Sequence, residues 1–370
     1  VSQATVALKV LDFRAAPPSS FHHCNWAYVT NSFLRDYPEA TYQDLLVHGT
    51  NVFVTNGGPK ASFDDDGRLL EPIDFSTLDA DVARFRGKDV IFLMQGMVQL
   101  TSASGNQPEG SEAYKRALVP YLDALVKHME EMGFSTNNFA YYPFDEPGSD
   151  GWPTVNIFIA KAKMVREADP RIHIYVDGGP PSLEMHQAML PYVDIWQSYL
   201  HRVWNTFDVE RVALMRRYVR QVWTYDMGVE GKTHDLVDYY LADPIYCFVH
   251  GLTGNGYWTY CTQQQDPWQR GDQEYVMVYP GTSRPVTSRR WEAVRESIEN
   301  FRILTALRSL MEQAEERGVA PDACAETRQL LENELPAQIK LGPLSAKAID
   351  SLRLRALSLG QTLTESLRAR

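Results

Sequence analysis

Eight short apolar runs, each closing on polar residues or glycine, recur along the chain at 22–29, 51–56, 90–95, 138–144, 172–177, 193–199, 221–225 and 256–261. Between them the residues take a helical pattern, at 41–48, 77–85, 111–132, 154–167, 182–189, 209–217 and 236–249. Short, continuously apolar strands alternating with helices are what a parallel sheet covered on both faces demands. Eight repeats over about 250 residues match a (β/α)8 barrel. An open doubly wound sheet would carry a glycine-rich phosphate turn after an early strand. Gly254-x-Gly256 lacks the third glycine and falls late in the chain, so it reads as backbone crowding at a strand start. The expected fold class is therefore α/β, a (β/α)8 TIM barrel with a C-terminal helical appendage.

The barrel is expected over residues 21–315. Before it, residues 6–13 alternate loosely and run into Ala15-Ala16-Pro17-Pro18-Ser19-Ser20, so 1–20 reads as a linker or the tail of something preceding. After the eighth run, Tyr275-Val276-Met277-Val278-Tyr279 is strand-like and closed by Pro280-Gly281. Trp291, Val294, Ile298, Phe301, Leu304, Leu307 and Leu310 then recur at helical spacing, with Ser288 placed to cap the start and Gly318 and Pro321 marking the stop. Residues 316–370 are charged and helical in pattern, broken at Pro336 and Gly342-Pro343, and read as structural support.

A net charge of -11 over 370 residues argues against a nucleic-acid partner, whose phosphates demand a basic face. No run approaches the roughly 20 apolar residues of a membrane span. Cys24, Cys247, Cys261 and Cys324 show no CxxC spacing and read as buried free thiols. The chain opens on Val rather than Met, which reads as processing or truncation and hides the compartment. A glycan-degrading role would point to the cell exterior or periplasm.

In such a barrel the reacting groups sit at the carboxyl ends of the strands. Those ends offer His22, His23 and Asn25; Asn56; Gln95; Asp145 and Glu146; Asp177; Gln197 and Tyr199; Tyr225 and Asp226; and Trp258 and Tyr260. Amides, aromatics and carboxylates with almost no Lys or Arg suit a neutral polyhydroxylated ligand, a glycan or glycoside, better than a phosphate or carboxylate. His22-His23-Cys24 lacks metal-ligand spacing, Asp64-Asp65-Asp66-Gly67 reads as a turn, and no Gly-x-Ser-x-Gly elbow is present. Neither a metal nor another cofactor is expected.

The most pointed stretch is Asn138-Phe139-Ala140-Tyr141-Tyr142-Pro143-Phe144-Asp145-Glu146-Pro147, an aromatic strand that stops on two carboxylates. Strand neighbours face opposite ways, so Asp145 and Glu146 share a site only where the strand has ended and the chain turns. Pro147 and Gly148-Ser149-Asp150-Gly151 supply that turn. Paired carboxylates suit glycoside hydrolysis, in which one acid protonates the departing oxygen. A double-displacement enzyme also needs a nucleophile roughly 5 Å away across the bond. Asp226 after the seventh strand is placed for that, with Glu230 near it. Asp145 is not, because adjacent residues approach the sugar from one side. Their proximity instead suits a sugar whose own 2-acetamido oxygen attacks the anomeric carbon, with Glu146 as acid/base and Asp145 holding the acetamido N–H. Two close carboxylates should also titrate apart.

Phe144-Asp145-Glu146-Pro147 after the fourth strand, Gly254-x-Gly256-x-Trp258, Tyr279-Pro280-Gly281 and Ser288-Arg289-Arg290-Trp291-Glu292-x-x-Arg295-Glu296-x-Ile298-Glu299-Asn300-Phe301 together resemble glycoside hydrolase family 123, the β-N-acetylgalactosaminidases and relatives. The likeness covers residues 20–310. It implies the barrel, a substrate-assisted retaining mechanism, the Asp145 and Glu146 roles just given, and release of terminal β-linked N-acetylgalactosamine. It also implies an N-terminal β-sandwich absent from this chain, of which residues 6–13 would be the remnant. Ser297 and Asn300 depart from the pattern, where relatives often carry Gly and Asp. For the substrate, Tyr199 or Tyr225 would bond the acetamido carbonyl, Trp258 would wall its methyl, and Trp152 would stack in an outer subsite. Asp177, Gln197, Asn56 and Gln95 complete the expected lining. The alternatives are a carbohydrate-binding barrel without turnover, or a hydrolase for a sugar lacking the acetamido group that uses Asp226.

Overall fold

The structure, a computed structural model, describes residues 8–55, 57–199, 208–225, 232–261, 267–268 and 276–369. The chain divides into two compact units. One comprises His22–His234 and Leu252–Ser288; the other comprises Val1–Phe21, Asp235–Gly251 and Arg289–Arg370.

The first unit holds β1 (His22–Asn25), β2 (Val52–Thr55), β3 (Lys60–Phe63), β4 (Leu69–Asp74), β5 (Ile91–Met94), β6 (Gln99–Ser102), β7 (Phe139–Tyr141), β8 (His173–Asp177), β9 (Ile195–Tyr199), β10 (Gln221–Tyr225) and β11 (Gly254–Tyr257). Eight of these close a barrel in the order β1-β11-β10-β9-β8-β7-β5-β2. Every barrel pairing is parallel, with registers such as Val52↔Ile91, Ala140↔His173 and Trp223↔Gln197. Each apolar run of the sequence thus became one barrel strand. The interior is filled by Cys24, Val52, Leu93, Ala140, Tyr142, Tyr175, Ile195 and Trp223, large side chains that make the barrel a packed core rather than a pore.

Two boundaries moved for local reasons. β7 stops at Tyr141 because Pro143 has no N–H to give the ladder. β11 begins at Gly254, earlier than the apolar run, because bare backbone is what fits there. A Cβ on Gly254 would overlap the His22 carbonyl, and one on Gly256 would overlap Gln197 Nε2. Residues Trp258 and Tyr260 therefore lie beyond the strand.

A three-stranded sheet, β4-β3-β6, was not foreseen. Its strands are short and half exposed, without the continuous apolar run that marked the barrel strands. Helix α3 (Glu112–Glu131) ties it down: the Tyr121 hydroxyl sits 2.8 Å from the Met97 carbonyl and accepts from the Gln99 N–H at 3.0 Å. The strand expected at 275–279 is, among the described residues, only an isolated bridge between Tyr279 and Val286.

In the barrel unit the remaining helices are α1 (Pro38–Val47), α2 (Ser76–Val82), α4 (Trp152–Ala168), α5 (Leu183–Met189) and α6 (Val209–Tyr218). Side-chain caps start several of them: Ser111 for α3, Ser182 for α5 and Asp208 for α6.

The second unit is helical. It contains α7 (Asp243–His250), α8 (Arg289–Glu316), α9 (Pro321–Arg328), α10 (Leu335–Leu341) and α11 (Ala346–Arg368). The helix expected at 236–249 is split into a π-turn at Leu236–Leu241 and α7, because Pro244 fits only the first turn of a new helix. Helix α8 buries Trp291, Val294, Ile298, Phe301, Leu304 and Leu307, the stripe read from sequence, with Met311 rather than Leu310 extending it. All four cysteines are free and buried.

Candidate active site

The site grows from the end of β7. Tyr142 still pairs with the sheet, its N–H donating to the Met94 carbonyl at 3.2 Å. The chain then turns sharply: Glu146 has φ +45° and Gly148 φ +101°. A left-handed conformation costs a non-glycine residue about 1–3 kcal/mol and needs outside support. Asp177, at the tip of β8, supplies it by accepting the Glu146 N–H at 3.0 Å on Oδ1.

The two carboxylates leave this turn differently. Asp145 is exposed and accepts the Tyr142 hydroxyl at 2.6 Å. It lines a cavity of ≈ 170 Å³ with Asn25, Trp26, Tyr28, Thr55 and Gln95, against the roughly 10–15 Å³ that one water needs. Glu146 is half-buried and faces β9 and β10, where the Tyr199 hydroxyl donates to its carboxylate and Tyr225 stands beside the pair. The two tyrosine rings stack with centroids 5.2 Å apart. Gly178, at φ +64°, makes this meeting possible, since a Cβ there would stand 3.1 Å from Tyr199 Cε2 and 3.2 Å from Glu146 Cγ.

Burial pushes the Glu146 carboxyl above its ordinary range, and the Asp145 charge adds to the shift. The Tyr199 and Tyr225 hydrogen bonds favour the ionised form and oppose it. Desolvation is thus the larger cause and like-charge repulsion the smaller.

Other expected residues fall in several places. Gln95 is exposed on the cavity. Trp258 packs against the barrel core and donates its indole N–H to the Tyr28 hydroxyl at 2.8 Å. Gln197 is buried inside the barrel, accepting from the Tyr175 hydroxyl at 2.7 Å and donating to the Thr224 carbonyl at 3.2 Å. Asp177 is buried behind the turn. Trp152 opens α4, 37% exposed, and is not part of the cavity lining. Asn56, Asp226 and Glu230 lie outside the described residues.

Three residues gain weight from the structure. Tyr142 links two carboxylates, and Tyr28 sits in the cavity wall at φ +39°. Asn25 is 4% exposed on the cavity wall, and among the described residues neither its side-chain N nor its O has a partner. Buried amides are nearly always satisfied, so Asn25 stands ready for a ligand's hydroxyl or amide. Among the described residues no group of three His, Cys, Asp or Glu side chains could share a metal ion.

A closed parallel barrel with adjacent carboxylates on its carboxyl rim, one of them with its pKa shifted upward by burial, defines a (β/α)8 glycosidase. The chain belongs to glycoside hydrolase family 123: the model described as "Glycoside hydrolase 123, catalytic domain" matches residues 93–307. That stretch includes Asp145, Glu146, Asp177, Tyr199, Tyr225 and Trp258, but not Asn25. Among solved structures, a family 123 glycoside hydrolase from Clostridium perfringens is similar in fold, with a TM-score of 0.54 at 14% identity, over 97% of this chain and 72% of that one. A monomeric β-xylosidase from Caulobacter crescentus CB15 gives 0.48 at 14% identity, covering 76% of this chain and 69% of that one. A family 39 glycoside hydrolase from Bacteroides cellulosilyticus WH2 gives 0.46 at 12%, covering 76% and 65%. No curated protein matches the chain.

Proposed function

We propose that this glycosidase releases terminal β-linked N-acetylgalactosamine with retention, the substrate's acetamido oxygen acting as the internal nucleophile. The observation that carries the reading is the single turn after β7 that presents both carboxylates. Groups from one turn approach the sugar from one side, so the attacking atom on the other face comes from the substrate. In the first step the acetamido oxygen bonds to the anomeric carbon as Glu146 protonates the departing oxygen. Asp145 accepts the acetamido N–H and offsets the positive charge that develops on the resulting ring. In the second step Glu146 takes a proton from water, which attacks the same carbon and restores the acetamido group.

Support comes also from the Clostridium perfringens neighbour, which is described as hydrolysing glycolipid glycans. Kinetics on aryl β-glycosides that differ only at carbon 2 test the reading. Turnover of the N-acetylgalactosaminide, with little of the plain galactoside, is expected; the reverse preference would sink it.

Tyr199→Phe tests the environment of the acid. Losing that hydroxyl removes a bond that favours ionised Glu146, so Glu146 holds its proton to higher pH. The alkaline limb of kcat is expected to move up; a limb that stays or moves down excludes Glu146 as the acid.

A further inference from the structure

Behind the catalytic turn lies a chain of oxygens whose protons can be counted. Tyr142 Oη is 2.5 Å from Asp177 Oδ2 and 2.6 Å from Asp145 Oδ1. Both separations are those of short O–H···O hydrogen bonds. A phenol carries one proton and an ionised carboxylate none, so two bonds through one hydroxyl require a second proton on one of the acids. Among the described residues, Tyr175 donates instead to Gln197 and Tyr199 to Glu146. Asp177 Oδ1 is already occupied by the Glu146 N–H.

Burial decides which acid holds the proton. Asp177 is 1% exposed, whereas Asp145 is open to solvent. An unpaired carboxylate costs far more inside the barrel than at its rim. Among the described residues, the titratable groups facing Asp177 are Tyr142, Asp145 and Glu146 on the β7 turn, Tyr175 on its own strand, Cys24 on β1, Tyr199 on β9 and Tyr225 on β10, and none of these is a cation.

We propose that Asp177 is a positioning residue that stays neutral, donates its Oδ2 proton to Tyr142, and so commits the Tyr142 hydroxyl proton to Asp145. The neutral acid does two jobs: its Oδ1 pins the left-handed Glu146 backbone, and its proton fixes the direction of the relay. Asp145 is thereby held in one rotamer, its other oxygen turned to the substrate's N–H. The last step rests on the function proposed above; the proton assignment does not. Burial and the Asp145 charge push the Asp177 carboxyl well above the ordinary range, in agreement.

Thermal stability against pH reads the assignment directly. A carboxyl that keeps its proton in the fold contributes stability that is complete below about pH 4 and is lost as pH climbs toward its folded value. Asp177→Asn keeps a donor for Tyr142 and an acceptor for Glu146 but cannot ionise. Its Tm relative to the parent protein is expected to rise with pH, on the order of 2 °C per pH unit between pH 5 and 7. A flat or falling difference overturns the proposal. In the Glu146→Gln protein, where Glu146 cannot contribute, a protonated-carboxyl infrared band should persist at pH 7; its absence overturns the proposal equally, whether or not the Asn variant folds. In turnover, Asp177→Asn should stay within about tenfold of the parent kcat while Asp177→Leu loses about a hundredfold or more. Equal losses would show that the charge of Asp177 is what matters, and the relay fails. No turnover of any acetamido sugar would overturn the functional reading alone, since the stability profile reads the proton without substrate.

Discussion

Glu146→Gln is expected to lower kcat about 10²–10⁴-fold on a substrate with a poor leaving group, the range that general acid catalysis supplies. The glutamine is nearly isosteric and accepts the Tyr199 hydrogen bond, so the rim stays in place while the transferable proton is gone. An activated aryl leaving group departs without protonation, and its loss should be much smaller. The pH profile gives the sign. Burial raises the Glu146 carboxyl, so the parent enzyme loses activity as pH rises through that elevated value, and the variant should lose that limb altogether. Steady-state kinetics on two aryl glycosides of different leaving-group ability measure both effects. A uniform, mild loss on both would remove Glu146 from the chemistry.

Asp145→Asn should cost about 10²–10³-fold in kcat on good and poor leaving groups alike. On the proposed mechanism its charge is needed where positive charge develops on the acetamido-derived ring, and that demand does not depend on how the aglycone leaves. Asparagine would also present either an amide donor or a weaker acceptor to the substrate's N–H. Insensitivity to leaving group, set beside the sensitivity of Glu146→Gln, separates the two roles. A loss confined to poor leaving groups would mean that Asp145 is the proton donor and that the roles are reversed.

The barrel was legible because its strands are buried on both faces and so announce themselves as continuous apolar runs. The β4-β3-β6 sheet offers no such contrast, since strands like Leu69–Asp74 are largely exposed and carry a proline and charges. The carboxylate pair was legible for a related reason: Pro147 and Gly148 mark the end of an aromatic strand in one continuous stretch. What stayed hidden is set by contacts across the barrel. Asp177 and Tyr142 are 35 positions apart, and nothing in either neighbourhood shows that they touch. Asp177 therefore looked like a cleft residue when it is buried. Tyr199 and Tyr225 were read as neighbouring strand ends, yet only coordinates show that the Tyr199 hydroxyl bonds Glu146 and that the Tyr225 ring stacks against Tyr199. The glycine at 178 was a visible clue, because Asp177-Gly178-Gly179 leaves a strand tip without side chains beside the acid.

The rim is divided in its labour. Glu146 and the tyrosines around it stand on the turn after β7 and on β9 and β10, while much of the cavity wall, Asn25 included, comes from β1, β2 and the loop after β1, upstream of the segment that matches the family, with Gln95, Tyr142 and Asp145 completing it. Selectivity for one sugar over another can thus drift, or be engineered, by editing the first two strands and their loops, with Glu146 and its tyrosines left untouched.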